Sequence, residues 1–205
     1  MTHYDLDRVH RVPHPGITVC IATHPERQTS GLVNRAFASV AAQTLQPSAI
    51  LVCNDLERKG AGANRRRLLD LVDTAWLAWC DSDDELMPEH LEKLHRVAVE
   101  TGSIFVFSWF HGGDPLGHFG LPFDPCRPHH TTHNVLMRTD IAREVGYRDN
   151  EIGPYANEDW AMITGIAAIA CERGLRMTHL AEKTWTYHQH GQNSSGQPGQ
   201  GDARY

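Results

Sequence analysis

Ala75-Trp76-Leu77-Ala78-Trp79-Cys80-Asp81-Ser82-Asp83-Asp84 is a short apolar run that stops abruptly at three carboxylates. A run so short and so apolar reads as a buried strand, and its end sets those carboxylates together at the rim of a sheet. Like charges a few ångströms apart repel and raise one another's pKa unless positive charge lies between them, a role a divalent cation commonly fills. Hard oxygen ligands favour Mg2+ or Mn2+, and these in turn favour a phosphate-bearing ligand. The same residues also suit a solvated turn and a helix N-terminus, where carboxylates are stabilised without metal. The stretch alone leaves both readings open.

Its neighbours narrow the choice. Upstream, Ile17-Thr18-Val19-Cys20-Ile21-Ala22 and Ala49-Ile50-Leu51-Val52-Cys53 are strand-like. Between them Ser30 is expected to cap a helix through about Gln43, with Leu32, Val33, Ala36, Phe37 and Val40 on one face. A polar, Gly-containing loop from Asn54 to Gly62 leads into a helical pattern over 63–72. Downstream, Pro88 is expected to open a helix to about Glu100, and Ile104-Phe105-Val106-Phe107 is a fourth strand. Repeated strand-helix-strand units imply right-handed crossovers and a largely parallel sheet with helices on both faces. Ligands of such sheets bind at the carboxyl ends of the strands, where Thr23, Asn54-Asp55 and Asp81 to Asp84 all fall. That convergence favours the functional reading of the acidic cluster.

The second half is less regular. From His111 to His130 the chain is rich in Gly, Pro and His and reads as a long loop. Asn134 to Met137 is a short strand, Thr139 is expected to cap a brief helix ending near Gly146, and a longer helix runs from Glu158 to about Arg173, closed by Gly174. Thr184 to His188 is expected to be the last strand. Five scattered cysteines without a C-x-x-C pair fit buried thiols in a reducing compartment. No apolar signal region opens the chain and nowhere do 18 apolar residues run together, so a soluble, cytoplasmic protein without a membrane span is expected. At 205 residues one domain suffices, able to bury roughly 70% of its unfolded surface. A formal charge of −6 does not suggest a dedicated polyanion binder, although Arg65-Arg66-Arg67 is a local basic knot that also suits a solvated helix face.

Taken in order, these motifs resemble the inverting glycosyltransferases of family 2. Thr23-His24-Pro25-Glu26-Arg27 is similar to that family's Thr-aromatic-Asn-Arg turn, with His24 and Pro25 as departures. Ala41-Ala42-Gln43-Thr44 resembles the end of its first helix, and Asn54-Asp55 its paired acidic positions. Gly60 to Arg65 resembles its Gly-rich segment ending in Ala-Arg-Asn, here altered to Ala63-Asn64-Arg65. Asp81-Ser82-Asp83 with Asp84-Glu85 looks like the D-x-D motif, Glu158-Asp159-Trp160 like the E-D motif of the catalytic base, and His188-Gln189-His190 with Asn193 and Ser195 like the late metal-binding histidine. The resemblance covers about residues 17 to 195.

The resemblance implies an α/β chain of the GT-A (nucleotide-diphospho-sugar transferase) fold, with a Rossmann-like, mostly parallel central sheet flanked by helices. It divides the chain into a flexible N-terminal segment over 1–16, a single domain over 17–193 and a flexible tail over 194–205. It also implies metal-dependent, inverting transfer of a sugar from a nucleotide-diphosphate sugar, a UDP-sugar above all, to an acceptor hydroxyl on a glycan, a small molecule or a modified DNA base. Asp159 is the implied base, with Glu158 able to share the role. Mn2+, or Mg2+, would be held by Asp83 with His190, whose His-x-x-Asn-x-Ser context matches the family better than that of His188. Thr23, Glu26, Arg27, Asp55, Asn64, Arg65, Asp81 and Ser82 are the implied nucleotide-sugar contacts, Asp55 for the base and Asp81 for the ribose. The swapped order of Asn64 and Arg65 leaves open which of the two faces the nucleotide. Trp109, Phe110 and His111 are placed as a floor of the sugar pocket or as core. His129, His130 and His133 lack zinc-site spacing, so an acceptor or sugar contact is preferred there. The competing readings are a non-catalytic nucleotide-sugar-binding module and a nucleotidyltransferase or pyrophosphate-cleaving enzyme of similar fold; against the former stand Asp159 and the D-x-D residues together.

Overall fold

The computed structural model describes residues 7–11, 16–112, 123–124, 126, 134–147 and 158–188. Its strands are β1 (Asp7–Arg11), β2 (Ile17–Thr23), β3 (Ala49–Asn54), β4 (Trp76–Trp79), β5 (Glu85–Leu86), β6 (Ser103–His111), β7 (Leu136–Arg138) and β8 (Arg176–Thr186). Its helices are α1 (Pro25–Thr29), α2 (Leu32–Ala41), α3 (Ala61–Leu71), α4 (His90–Thr101), α5 (Thr139–Val145) and α6 (Glu158–Arg173). All eight strands join one sheet in the order β1-β3-β2-β4-β7-β6-β8-β5.

The sheet is mixed. β3, β2 and β4 run parallel, with Thr23 opposite Asn54 and Cys20 opposite Trp79, so their carboxyl ends share one edge as the apolar runs predict. Beyond β4 the directions are mixed: β7 is antiparallel to both β4 and β6, β8 is parallel to β6, and the two-residue β5 is antiparallel to β8. The mostly parallel expectation therefore holds for β3, β2 and β4 and for the β6–β8 pair, and the other pairings are antiparallel. β1 adds an antiparallel edge on β3, where a flexible N-terminal segment was expected.

Helices cover both faces. Val33, Ala36 and Val40 of α2 and Leu91, Leu94 and Ala98 of α4 pack with Ile17, Val19 and Ile21 against one face. Leu68 and Leu69 of α3, Ile141 and Ala142 of α5, and Met162, Ile163 and Ile166 of α6 pack with Trp79, Phe105 and Phe107 on the other. Each of these five helices thus buries an apolar side, whereas α1 buries none of its residues.

Several boundaries differ from expectation for local reasons. The helix expected after Ser30 is α2, but its cap is Gly31, at φ 79, because Pro25 starts the short α1 that Ser30 closes. Ser30 Oγ instead donates to the carbonyl of Arg27. α4 begins at His90, two residues after Pro88, and stops at Gly102 in the left-handed region. Arg138, not Thr139, is the cap residue of α5. β8 begins eight residues before the expected Thr184, because its first part is polar and half-exposed and offers no apolar alternation. Trp109, Phe110 and His111 belong to β6 itself; Trp109 lies against His179, while Phe110 packs against Trp185 and Tyr187. Cys20, Cys53 and Cys80 are buried thiols, but Cys126 and Cys171 form a disulfide, which removes the support that five free thiols lent to a reducing compartment. Among the described residues no helix is long and apolar enough to cross a membrane.

Candidate functional site

The acidic run after β4 leaves the sheet edge as a tight turn, with the amide of Asp84 donating to the carbonyl of Asp81 at 3.0 Å. Its four residues separate by partner. Asp84 is buried and faces inward, accepting from Asn134 Nδ2 at 2.9 Å and from the amide of His188 at 3.3 Å. Burial first, then the charges of Asp81 and Asp83, push its carboxyl well above the usual range. Asn134 is fully buried and uses its other end to accept from the Asp81 amide at 2.9 Å, so one side chain ties both ends of the turn.

Asp83 faces a cation. Arg27, on α1 at the carboxyl end of β2, lays its guanidinium fork on it, with Nη1 to Oδ1 at 2.9 Å and Nη2 to Oδ2 at 2.8 Å. The same Nη1 donates to the buried Ser82 Oγ at 3.0 Å. Arg35 of α2 donates to the Asp83 carbonyl at 2.9 Å and lies 3.5 Å from Glu85.

Asp81 and Glu158 share a second cation. Arg65, on α3, donates through Nη2 to Asp81 Oδ1 at 2.9 Å and through Nη1 to Glu158 Oε1, with its guanidinium carbon 5.7 Å from the Trp79 ring centroid. Its side chain is only 9% exposed. Burial alone would lower its pKa, but the carboxylates of Asp81 and Glu158 outweigh that and raise it. Burial pushes the Glu158 carboxyl up, with Arg65 opposing. Asp159 keeps its place at the first turn of α6, where its Oδ1 accepts from the amide of Trp160 at 2.7 Å. The turn after β4 and the start of α6, 77 residues apart from Asp81 to Glu158, therefore meet on one guanidinium.

The residues expected at the nucleotide base lie at the ends of β2 and β3. Asp55 accepts from the amides of Lys59 and Gly60 at 2.8 and 2.7 Å and so shapes the loop before α3. Glu26 pairs with Arg58 and with His24, which holds its carboxyl down to about 2. Asn64 is buried and bridges the two strand ends, its amide donating to the Thr23 carbonyl at 3.3 Å while its oxygen faces Cys53 Sγ. The swapped pair is thereby sorted: Asn64 holds the strand ends and Arg65 faces the acidic turn. Thr23 is buried and supplies that carbonyl.

For a metal, the donor chemistry of Asp83, Asp81 and a late histidine suits a hard or borderline cation. His188 does reach the acidic turn, with Nε2 2.7 Å from Glu85 Oε2. His190, and with it His129, His130 and His133, lies outside the described residues. Among the described residues no group of three or more His, Cys, Asp or Glu converges as a metal-holding set. Sequence reasoning missed Arg35 and Asn134; the one signal available was Asn134 standing just before an apolar run, the position of a strand-end polar residue.

An α/β sheet whose strand ends carry an Asp-x-Asp turn beside an acidic helix start is the GT-A glycosyltransferase fold. Residues 56–147, short of half the chain, match the family model for glycosyl transferase family 2, which bears out the resemblance over that segment. Among solved structures, S. aureus TarS 1-349 superposes with a TM-score of 0.66 at 14% identity, over 83% of this chain and 59% of that one. The same TarS segment in complex with UDP-GlcNAc gives a TM-score of 0.69 at 12% identity, over 90% of this chain and 62% of that one. In complex with UDP it gives 0.66 at 13% identity, over 84% and 60%. This chain thus spans about three-fifths of those TarS structures, and the likeness is one of fold. No curated protein matches the sequence.

Proposed function

We propose that this chain is a nucleotide-sugar glycosyltransferase that moves a sugar from a nucleotide-diphosphate donor to an acceptor hydroxyl with inversion. The observation that carries the reading is the meeting of the Asp81-Ser82-Asp83 turn and the Glu158-Asp159 helix start on Arg65 at the carboxyl edge of the sheet. The first is a donor-side cluster and the second a base-side cluster, and single-displacement transfer needs both within reach of one sugar.

In this reading Asp159 is the general base. The Glu158 carboxylate is engaged by Arg65, which leaves Asp159 as the one of the pair to receive the acceptor's proton. An alcohol and a carboxylic acid differ in pKa by on the order of 10 units, so the proton moves as the new C–O bond forms and not before it. Charge grows on the leaving diphosphate, and Arg27 is the cationic side chain of the Asp83 end of the site that suits phosphate oxygens. Asp81, a third exposed, is placed to accept from a ribose hydroxyl. Mn2+ or Mg2+ would be held by Asp83 with His190 or His188, and such an ion supplies Lewis-acid neutralisation of the diphosphate.

TarS is recorded with UDP and with UDP-GlcNAc, and these are the first probes for this chain. Thermal unfolding is measured with each, with and without Mn2+. Ligand at a hundred times its Kd adds about 2.7 kcal/mol of stability. Asp159→Asn is expected to keep this shift while losing hydrolysis of the sugar nucleotide. Binding in the wild type without turnover would instead mark a non-catalytic sugar-nucleotide module. If no nucleotide or nucleotide sugar stabilises the protein, the donor assignment fails.

A further inference from the structure

Cys126 and Cys171 stand apart from the other three cysteines. Cys20, Cys53 and Cys80 are buried, where a thiolate is poorly solvated and reagents do not reach. Cys126 and Cys171 are joined to each other, and both are exposed. The core does not require the bond: two apolar clusters cover the two faces of the sheet, and a chain of 205 residues needs no staple to fold. Exposed disulfides are open to attack by a thiolate and are the labile ones. This bond is also placed where its state matters. It closes the chain from 126 to 171, and inside that span lie Asn134, which ties the acidic turn, and Glu158 and Asp159 at the start of α6. Thr23, Arg27, Asp55, Arg65, Asp81 and Asp83, on the donor side, lie outside it. Cys171 is in the last turn of α6, whereas Glu158 is in its first. The other sulfur is anchored to the sheet. Phe123 lies edge-on to Phe107 of β6 at 4.9 Å and 6.4 Å from the ring of His179 of β8, and the Asp124 carboxylate accepts from the Cys126 amide at 2.9 Å. Besides its buried side, α6 is thus held at its first turn by Arg65 and at its last by this bond and the exposed Arg173–Glu144 pair. A cross-link limits the open states of the chain between its ends, so cutting it lets α6 leave its place more often.

We infer that Cys126–Cys171 is a reversible thiol–disulfide switch, worked by a dithiol, that sets how firmly the base-side helix α6 is held. Its effect on turnover rests on the nucleotide-sugar reading above; the exchange itself does not. The dithiol attacks one sulfur to give a mixed disulfide and leaves as its own disulfide, and its two electrons and two protons end on the Cys126 and Cys171 thiols. In the reduced protein the donor side keeps its contacts while Glu158 and Asp159 leave their place more often, so donor binding stays and transfer slows.

The test compares Cys126→Ser and Cys171→Ser with wild type in three states: oxidised, reduced by dithiothreitol and desalted, and reoxidised by oxidised glutathione. Iodoacetamide labelling of the folded protein, read by mass, is expected to add no group to the oxidised form and two to the reduced form, at Cys126 and Cys171. Hydrogen exchange in α6 should rise about fivefold on reduction while exchange in β2 stays unchanged. Hydrolysis of UDP-GlcNAc should slow about threefold and recover on reoxidation, with UDP affinity by calorimetry unchanged throughout. Each serine variant should exchange and turn over like reduced wild type and ignore dithiothreitol. Labelling of both cysteines before any reductant is added overturns the switch, as does equal exchange in α6 of the oxidised and reduced forms. Turnover that reduction leaves unchanged in a protein that binds UDP also overturns it, and so does a loss of UDP affinity equal to the loss of turnover, which marks global loosening. If UDP binds neither form the donor reading fails, while labelling and exchange still decide the switch.

Discussion

Arg65 is a buried cation with two carboxylate partners from different parts of the chain, and its energetics follow from that. Removing it takes from Asp81 and Glu158 the positive charge that lies between them beside the Trp79 ring. Breaking a buried pair by deleting one partner typically costs 3–5 kcal/mol, whereas an exposed pair contributes under about 1 kcal/mol. Arg65→Met is therefore expected to lower unfolding free energy by about 3 kcal/mol in urea titrations, and Arg65→Lys to restore only part of it, since a point charge cannot span both carboxylates. Glu158→Gln should be less damaging in the Arg65→Met chain than in the wild type; additive losses would show that the two residues do not interact. From sequence, the type of Arg65 was legible but its target was not. An arginine after a Gly-rich segment suits phosphate equally well, and only the fold brings Glu158 to it.

Between elements, the acidic turn is braced by helices that come before and after it. Gln43, just past the end of α2, is buried and reaches α4: its Oε1 accepts from the Leu91 amide at 2.9 Å, and its Nε2 donates to the Met87 carbonyl at 2.7 Å. The first amides of a helix have no partner within it, so Gln43 caps α4 from a neighbouring element. The Thr44 amide adds a bond to the Pro88 carbonyl at 2.8 Å. Gln43→Ala takes the acceptor from the Leu91 amide, while the Met87 carbonyl keeps the His90 amide at 3.0 Å, and is expected to cost about 1–3 kcal/mol, with hydrogen exchange at Leu91 accelerated more than at Leu136 on β7. Exchange rising equally at both would point to global destabilisation only. Helix types and the close of α6 at Gly174 were readable from spacing and from glycine, because those signals are local. The short α1 before Gly31 was not, since its residues 25–30 are polar and bury nothing, so no apolar stripe marks it.

At the scale of the molecule, what the sequence disclosed and what it withheld follow the range of the interactions. Three parallel strands, each ending in polar residues, could be aligned by their apolar runs, and this placed the acidic turn at a sheet edge. The antiparallel half depends on β5 and β7, two and three residues long, whose pairing is set by residues far away in sequence. Within that half a buried polar chain ties α4 to the sheet: His90 of α4 is bonded through Nδ1 to Thr184 Oγ1 of β8 at 2.6 Å, and Thr184 is bonded to Ser108 of β6. His90 is fully buried, and its Nε2 has no hydrogen-bond partner among the described residues. Burial lowers its pKa from 6.5 to about 3, with the Thr184 bond opposing. A protonated ring would add an N–H with no acceptor, so the native state holds His90 neutral while the unfolded chain takes up a proton below about 6.5. Between these values the unfolded state binds more protons, so stability rises with pH and is lost as pH falls from about 6.5 towards 3, at about 1.4 kcal/mol per pH unit from this group. His90→Gln removes the proton uptake and keeps a side-chain donor for Thr184. Whatever its stability at pH 7, its unfolding free energy measured from pH 6 to pH 4 should fall less steeply than that of the wild type, by about that slope. Parallel curves for the two proteins would show that His90 is not held neutral by the fold and that acid sensitivity arises elsewhere.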